Sequence, residues 1–459
     1  MRYRVNPIAV PRLITAWHTR VRPWGLAAAG RLRARPGGNV WDTLRGLEVP
    51  AQTQAWFAQA RDERSRFVLP ESVVLSAPVF PARAELTTDL GLDLETPDDL
   101  ATLQETLSGA WQGHAEGHPS FDLAQELIAI DWLVPARAAA QDWPPGIHRL
   151  QHASLLFRGE RGAVLTDPAY LAGGGPCAWN RPDALPRINA ILLSHAHGDH
   201  FSLLSLMQFP RDTMIVVPVV TVPSLLSEDM AGQLRAAGFT RVVEAAWGTV
   251  LEIADLVVTV HPFYGEQPWT DAAEPVAGLR NAGNTYVVEC CGKKTWLLVD
   301  SGPEHGQQVA ELCARVRAAH GHIDFVMSNL REFHWFPGQI DGTGSFLMCF
   351  PIERLRDPAQ WPYDQLITHG PRGIRDLLIA LQPSYFLPYA HWFHPLERAT
   401  HYFSDSGRTE QGLVDAIHDA DRTASSGRLS TQLLRWQVGD HLAWSAPGVT
   451  VSSPMIDGA

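Results

Sequence analysis

Three histidines and an aspartate lie within six consecutive positions, and together their side chains could bind metal ions. The residues are His195, His197, Asp199 and His200, and Ser194 directly precedes them. Imidazole nitrogen and carboxylate oxygen are ligands that zinc, iron and manganese accept in proteins. At this spacing His195 and His197 can reach one ion, while Asp199 and His200 turn towards a second. The pattern predicts a metal site, and the alternative interpretation is a solvated, histidine-rich loop.

A buried strand and the start of a helix are predicted to hold these side chains. The apolar run Ile191–Leu193 comes directly before the cluster, and polar residues bound it, which is typical of a buried strand. Apolar residues between Gly198 and Met207 then have the spacing of an opening helix. The cluster is therefore expected in a tight loop between strand and helix, where side chains leave the backbone in several directions.

The cluster resembles the HxHxDH signature of the metallo-β-lactamase superfamily. The resemblance extends from about Ile147 to His394. It implies an α/β fold, an αββα sandwich with a dinuclear metal site at one edge. We therefore predict a smaller α-rich N-terminal region over residues 1–145 and a metallo-β-lactamase-like domain over residues 146–459.

Helical patterns dominate the predicted N-terminal region. One helix is expected from Gln52 to Phe67, and another begins where Thr96 precedes Pro97 as an N-cap. In the second helix Leu100, Leu103, Leu107 and Trp111 share one face at helical spacing. The pattern shows no spacing typical of ligands or a nucleophile. We therefore interpret the region as a surface for packing, partner docking or dimerisation, which allows a homodimer.

The superfamily resemblance implies two further ligands towards the C-terminus. Asp300 ends an apolar strand and precedes Ser-Gly, as the bridging carboxylate of the superfamily does. His391 comes just past the apolar strand that begins at Tyr385, in the place of the last ligand. His394 and His334 are the alternatives to His391.

The ligand that completes the first metal site is less usual. Zinc hydrolases of the superfamily carry a histidine a few residues past the corresponding strand, and Glu266 stands at roughly that position here. His261 is the alternative, although it abuts the strand and is followed by a proline. The sequence leaves open whether Glu266, His261 or neither is the ligand.

Other residues are predicted to surround the metals or to contact a substrate. Asp167 could orient a ligating histidine through its second ring nitrogen, or it could cap a turn. The segment from residue 329 to 362 is irregular and aromatic, and we interpret it as a lid or as a packed insertion. The complete set of surrounding candidates is Asp167, His152, His261, Tyr264, Arg331, His334 and Trp335.

The expected ligand set is richer in carboxylate than that of a typical dinuclear zinc hydrolase. The first metal would take His195, His197 and Glu266, the second Asp199, His200 and His391, and Asp300 would bridge them. Extra carboxylate stabilises higher charge on a metal and lowers its reduction potential, whereas zinc has no redox chemistry. The set therefore favours two iron ions over zinc or manganese, with the metal centre itself as the catalytic group.

This ligand set resembles the diiron oxygenase branch of the superfamily, which includes the β-hydroxylase of chloramphenicol biosynthesis. The resemblance implies O₂-dependent oxidation or hydroxylation of a small molecule, or of an amino acid bound to a carrier protein, in biosynthesis. An electron donor would then be a partner. The alternative is a dinuclear zinc or manganese hydrolase of an ester, lactone, amide or phosphodiester. A metal-stabilised scaffold without turnover is the third hypothesis.

Composition limits the partners. The 459 residues carry a formal net charge of −12, which argues against nucleic acid because phosphate binding needs a clustered basic face. The five cysteines, two of them adjacent, do not resemble a disulfide framework. No stretch approaches the ~20 apolar residues of a membrane span. We therefore expect a cytoplasmic protein without a membrane partner.

Overall fold

The structure is a computed structural model that describes most of the chain from residue 97 onwards. The described residues are the strands Tyr3–Val5, Val68–Leu69 and Ser72–Val73 and residues 97–129, 132–135, 142–168, 182–197, 199–221, 227, 229–267, 273, 278, 280–333, 366–390, 410–424, 427–445 and 448–452. The predicted helix Gln52–Phe67 and the predicted site residues His334, Trp335 and His391 lie outside these ranges.

Nineteen strands and seven α-helices are present in the described residues. The strands are β1 (Tyr3–Val5), β2 (Val68–Leu69), β3 (Ser72–Val73), β4 (Leu133–Pro135), β5 (Gly146–Arg149), β6 (Leu155–Arg158), β7 (Ala163–Thr166), β8 (Ala190–Leu192), β9 (Met214–Pro218), β10 (Val242–Ala245), β11 (Val250–Ile253), β12 (Leu256–Pro262), β13 (Asn284–Cys290), β14 (Lys293–Val299), β15 (Phe325–Ser328), β16 (Tyr385–Pro388), β17 (Gln432–Leu433), β18 (His441–Ser445) and β19 (Gly448–Ser452). The helices are α1 (Pro97–Leu107), α2 (Pro119–Ala129), α3 (Leu203–Leu206), α4 (Met230–Ala236), α5 (Val309–His320), α6 (Gly370–Leu381) and α7 (Glu410–Thr423).

Two large sheets form the centre of the fold. The first has eight strands in the order β10-β9-β8-β7-β6-β5-β18-β19, and the second has seven in the order β11-β12-β13-β14-β15-β16-β17. A continuous apolar core lies between them, with Phe157, Leu192, Val258 and Leu297 among its fully buried members. Both faces of each sheet are covered, so the strands have nearly continuous apolar sequences.

Helices cover the outer face of each sheet. Helices α1, α2 and α4 share a core with Leu156, Leu165 and Ile191 of the first sheet. Helices α5, α6 and α7 share another with Val287, Trp296 and Phe386 of the second. The layers are therefore helix, sheet, sheet and helix, which confirms the predicted αββα sandwich.

The helix after the histidine cluster is shorter than the sequence pattern indicates. It is only Leu203–Leu206, with Ser202 as its N-cap. Among the described helices, none has the length and apolar character needed to cross a bilayer.

Strand directions bring the polar loops to one edge of the sandwich. Strands β7 and β8 are parallel neighbours, and so are β14, β15 and β16. Strand β12 runs antiparallel to β13, which is antiparallel to β14, so β12 ends at the same edge as β14. Because parallel strands end on the same side, the segments that follow β7, β8, β12, β14, β15 and β16 converge there.

Candidate metal centre

The two sheets are joined directly at the histidine cluster. The Asn284 amide donates to the Ser194 carbonyl over 2.7 Å, and His195 forms an isolated antiparallel bridge with Gly283. The loop after β8 is thus attached to the segment that opens β13. This attachment fixes the position of the cluster relative to the loops of the second sheet.

A first group of possible ligand atoms contains His195, His197 and Glu266. Glu266 Oε2 lies 3.1 Å from His195 Nε2 and 2.8 Å from His197 Nδ1. The His195 and Glu266 side chains are buried, at 0% and 8% exposed. Donor atoms about 3 Å apart fit one shared ion, because metal–ligand bonds are ~2.1 Å long.

A second group surrounds His200. Its Nε2 lies 2.8 Å from Asp300 Oδ2 and 3.7 Å from Asp199 Oδ2. His152 joins this group, because its Nε2 lies 3.1 Å from the same Asp199 oxygen. His195, His200 and Asp300 also have ligand atoms within 4.8 Å of one another, so Asp300 lies between the two groups.

The ring of His200 is held by a buried carboxylate. Its Nδ1 donates to Asp167 Oδ2 over 3.1 Å, which directs Nε2 towards Asp300. Asp167 also accepts from the Ser194 amide at 2.7 Å and from its hydroxyl at 2.6 Å. This is the geometry of a carboxylate that orients a metal-binding histidine.

The loops that carry Glu266 and Asp300 pack backbone against backbone. The Gly302 amide donates to the Tyr264 carbonyl over 2.6 Å, and the Glu266 amide donates to Ile367. A Cβ at Gly265 would lie 2.0 Å from the Gly302 nitrogen, and Gly265 has a φ of +119°. Only glycine permits both this approach and this conformation. The close contact between Gly265 and Gly302 therefore determines how closely the Glu266 loop and the Asp300 loop approach each other.

Unfavourable backbone conformations also concentrate here. Among the described non-glycine residues, eight have positive φ, and five of these lie at this edge, four in loops and one at the end of β14. The five are His152, Asp167, Glu266, Val299 and Ala390, with φ between 34° and 61°. Such conformations cost free energy and tend to persist at functional sites.

Electrostatics at the site fit a bound cation. Burial raises the pKa of Glu266, but His197 and His195 outweigh it and lower that pKa to about 2. Burial lowers the pKa of His200, but Asp199 and Asp300 outweigh it and raise that pKa well above its ordinary value. His195 Nε2, His200 Nε2 and Glu266 Oε2 are buried without a hydrogen-bond partner. Converging buried donors of this kind suit metal ions, so the residues present fit a dinuclear metal group.

Two predicted site residues lie elsewhere. His261 Nε2 faces His320 Nε2 at 2.7 Å, at the C-terminal end of α5, because side chains alternate along β12 and His261 points to the helical layer. In this structure His261 contacts His320 and not the histidine cluster, and its predicted role at the site stays a prediction. Tyr264 is also turned away, since its ring packs on Trp247 and its hydroxyl accepts from Arg315.

Four other residues that the sequence analysis predicted at the site keep roles that are still predictions. Arg331 is buried, and its amide donates to Asn329 Oδ1 over 2.6 Å. Its predicted substrate contact remains a prediction, as do the roles of His334, Trp335 and His391.

Two residues that the sequence analysis missed stand beside Asp300. The Asn329 side-chain amide donates to Asp300 Oδ1. Tyr389 is fully buried, and burial together with the carboxylates of Asp167 and Asp300 raises its pKa well above the ordinary value. A signal for Asn329 was present, because it follows strand β15, the parallel neighbour of the strand that ends at Asp300.

Comparison with known proteins agrees with this architecture. Residues 163–288 match the model of the beta-lactamase superfamily domain. A curated relative from Streptomyces venezuelae is 29% identical over 338 residues and is named 4-amino-L-phenylalanyl-[CmlP-peptidyl-carrier-protein] 3-hydroxylase. The alignment covers 71% of this chain and 57% of that relative.

Solved structures show the same fold. The crystal structure of CmlA, a diiron beta-hydroxylase from Streptomyces venezuelae, superposes with a TM-score of 0.53 at 17% identity, covering 95% of this chain and 98% of that one. A mutant of the CmlA beta-hydroxylase gives a TM-score of 0.53 at 16% identity, with 95% and 97% covered. Residues 163–288 of this chain are thus similar to the beta-lactamase superfamily domain, its overall fold is that of the CmlA structures, and a curated peptidyl-carrier-protein hydroxylase is among the proteins it resembles.

Proposed function

We propose that this protein is a dinuclear non-heme iron oxygenase that oxidises or hydroxylates a small molecule or a carrier-bound amino acid. The observation that carries the proposal is the position of Glu266. Its carboxylate lies within 3.1 Å of both His195 and His197, where a zinc hydrolase of the superfamily would present a third imidazole. An anionic ligand at this position favours iron, whose redox state it can influence.

The remaining ligands are proposed from the same geometry. Asp300 would bridge the two ions, and Asp199 and His200 would hold the second. His391 would complete the second ion's ligands, since it directly follows Ala390 at the edge where the ligand loops converge. His152, which contacts Asp199, would position that carboxylate or bind the ion itself.

Two bound irons would supply reductive activation of O₂, and the protein's own groups would orient them. Asp167 keeps the Nδ1 proton on His200, so that Nε2 stays available as a ligand atom. Asn329 donates to one oxygen of Asp300 and leaves the other directed at His200. These contacts fix ring and carboxylate orientation before a substrate arrives.

A substrate would approach from the side of Asp199. The Asp199 side chain is 40% exposed and that of His197 is 19%, whereas those of His195 and His200 are fully buried. The buried side excludes water and the open side admits a reactant. The carrier-bound form of the substrate is inferred from the name of the curated relative, which acts on an aminoacyl carrier protein.

Metal analysis together with an oxygen assay tests this function. We expect protein purified without added metal to contain about two equivalents of iron, and to consume O₂ when a reductant and an aminoacyl carrier protein are supplied. A zinc protein that hydrolyses ester or lactone substrates and does not consume O₂ would contradict the proposal. That outcome would favour the alternative, a dinuclear zinc or manganese hydrolase.

A further inference from the structure

We propose that Glu105, His114 and His118 form a separate divalent transition-metal site that joins α1 to the start of α2. The sequence pattern showed no ligand spacing here, but the fold brings one ligand atom from each residue within 4.8 Å of the other two. The site lies outside the dinuclear centre and does not depend on the proposed oxygenase function.

The three side chains come from consecutive elements. Glu105 lies in the last turn of α1, His114 follows the 3₁₀ helix Ala110–Gly113, and His118 precedes α2. Glu105 Oε1 and His114 Nε2 are in direct contact. The rings of His114 and His118 stack with centroids 3.8 Å apart and planes inclined by 11°. Both imidazoles are therefore on the same side of the connecting loop as the carboxylate.

A nearby hydroxyl holds the group in place. The Ser120 hydroxyl donates to Glu105 Oε2 over 2.8 Å and lies 3.0 Å from His118 Nδ1. The second carboxylate oxygen is thereby fixed, while Oε1 remains directed at His114. This arrangement orients the three groups without occupying every one of their ligand atoms.

Electrostatics favour a cation between these side chains. Burial raises the pKa of Glu105, but His114 and Ser120 outweigh it and lower that pKa, so Glu105 is anionic at neutral pH. One carboxylate and two neutral imidazoles make a ligand set for zinc, nickel or copper(II).

The exposure of the group indicates a structural, exchangeable ion. The side chains of His114 and Glu105 are 32% and 19% exposed, so water can complete the coordination. A bound ion would connect residues 105 and 118 across the loop that places Trp111 against Phe121, whose rings meet edge to face at 5.9 Å. The site would therefore stabilise the helical pair that covers the first sheet.

Zinc titration of the full chain tests this site. Zinc binding is measured calorimetrically and by elemental analysis for the wild type, Glu105→Gln and His114→Ala, with His305→Ala as the control for an exposed histidine outside the group. We expect each site variant to bind one zinc fewer than the wild type, or to bind it at least roughly tenfold more weakly. The control should match the wild type.

A stability measurement complements the titration. Added zinc should raise the melting temperature of the wild type more than that of Glu105→Gln, which preserves side-chain size and therefore should still fold. Equal zinc stoichiometry and affinity in the wild type and both site variants would overturn the proposal. The contacts of Glu105 would then be those of a hydrogen-bonded polar cap.

Discussion

At the scale of residues, the site depends on the short distances between its carboxylate oxygens and its imidazole nitrogens. One carboxylate oxygen of Asp300 lies 2.8 Å from His200 Nε2, and the other accepts a hydrogen bond from Asn329. Asp300 also belongs to a group of possible ligand atoms with His195 and His200. A carboxylate in this position can contribute to both ions. Its removal should therefore affect the whole centre.

Replacement of Asp300 by alanine should abolish binding of both metals while the domain stays folded. The core between the sheets does not include the Asp300 side chain, so the fold should tolerate its loss. Elemental analysis and circular dichroism would measure the two effects. Asp212→Ala, at an exposed aspartate, is the control. Two tightly bound metals in the Asp300 variant would rule out a bridging role.

Replacement of Gly265 by alanine should weaken metal binding by an indirect route. The new Cβ would clash with the Gly302 nitrogen. The clash would push the loop that carries Glu266 away from the loop that carries Asp300. We expect a loss of roughly 10- to 100-fold in metal affinity, as for residues that support ligands. Competition with a chelator would measure it.

The matched control for this substitution is Gly248→Ala. Gly248 also has a positive φ, of +91°, but a Cβ there meets nothing within 4 Å. Backbone strain alone should therefore leave metal affinity unchanged. Equal affinity losses in both variants would show that the close approach at Gly265 is not what positions Glu266.

Sequence reasoning at this scale succeeded where the signal was local. The HxHxDH cluster was predicted from its own spacing, and Glu266 and Asp300 were predicted from the superfamily resemblance. In the structure, ligand atoms of Glu266 and Asp300 lie within 4.8 Å of those of the histidines. His261, the alternative to Glu266, lies within β12, where the alternation of side chains decides which side it faces. Glu105, His114 and His118 were missed because their approach depends on a turn whose shape the sequence does not state.

At the scale of elements, the N-terminal helices are part of the sandwich core. Leu103 and Leu107 of α1 belong to the same core as Leu156 and Ile191 of the first sheet. The sequence predicted the apolar face of α1 but not its partner, because the contact joins segments tens of residues apart. The domain boundary near residue 145 stays a prediction.

Replacement of Leu103 by alanine should lower the free energy of unfolding by about 2–5 kcal/mol. Leu103 is fully buried, and its removal leaves a cavity between α1 and the first sheet. Chemical denaturation would measure the change, and metal stoichiometry at the dinuclear centre should not alter. Gln125→Ala in α2, at a residue that is exposed, is the control. A change below ~1 kcal/mol would mean that α1 does not pack on the sheet as described.

At the scale of the whole molecule, buried histidines make stability depend on pH. Burial lowers the pKa of His148 and of His369 to about 4, and burial with His320 and Arg315 lowers that of His261 to about 4. Each of these three histidines therefore binds fewer protons in the folded state than in the unfolded state between about pH 6.5 and pH 4. Stability should be full above that window and should decline as the pH falls through it.

Denaturation of the metal-free protein at pH 7.5 and pH 5 tests this dependence. Each histidine can contribute up to roughly 1.4 kcal/mol per pH unit. His148→Gln should flatten the dependence, because glutamine retains a donor for the Pro144 carbonyl but does not titrate. An equal change in the free energy of unfolding between the two pH values in the wild type and in His148→Gln would contradict the assignment of His148 as neutral.

The substitution that distinguishes an oxygenase from a hydrolase is Glu266→His. It restores the histidine that zinc hydrolases of the superfamily carry, and imidazole can still bind the ion. Loss of the carboxylate should raise the reduction potential of the iron and make the reduced centre slow to react with O₂.

The most direct measurement is the stopped-flow reaction of the reduced, iron-loaded protein with O₂, for the wild type and for Glu266→His at equal iron content. We expect rapid oxidation of the wild type and oxidation at least tenfold slower in the variant. Equal rates would contradict this expectation, because they would show that Glu266 does not control the reactivity of the centre.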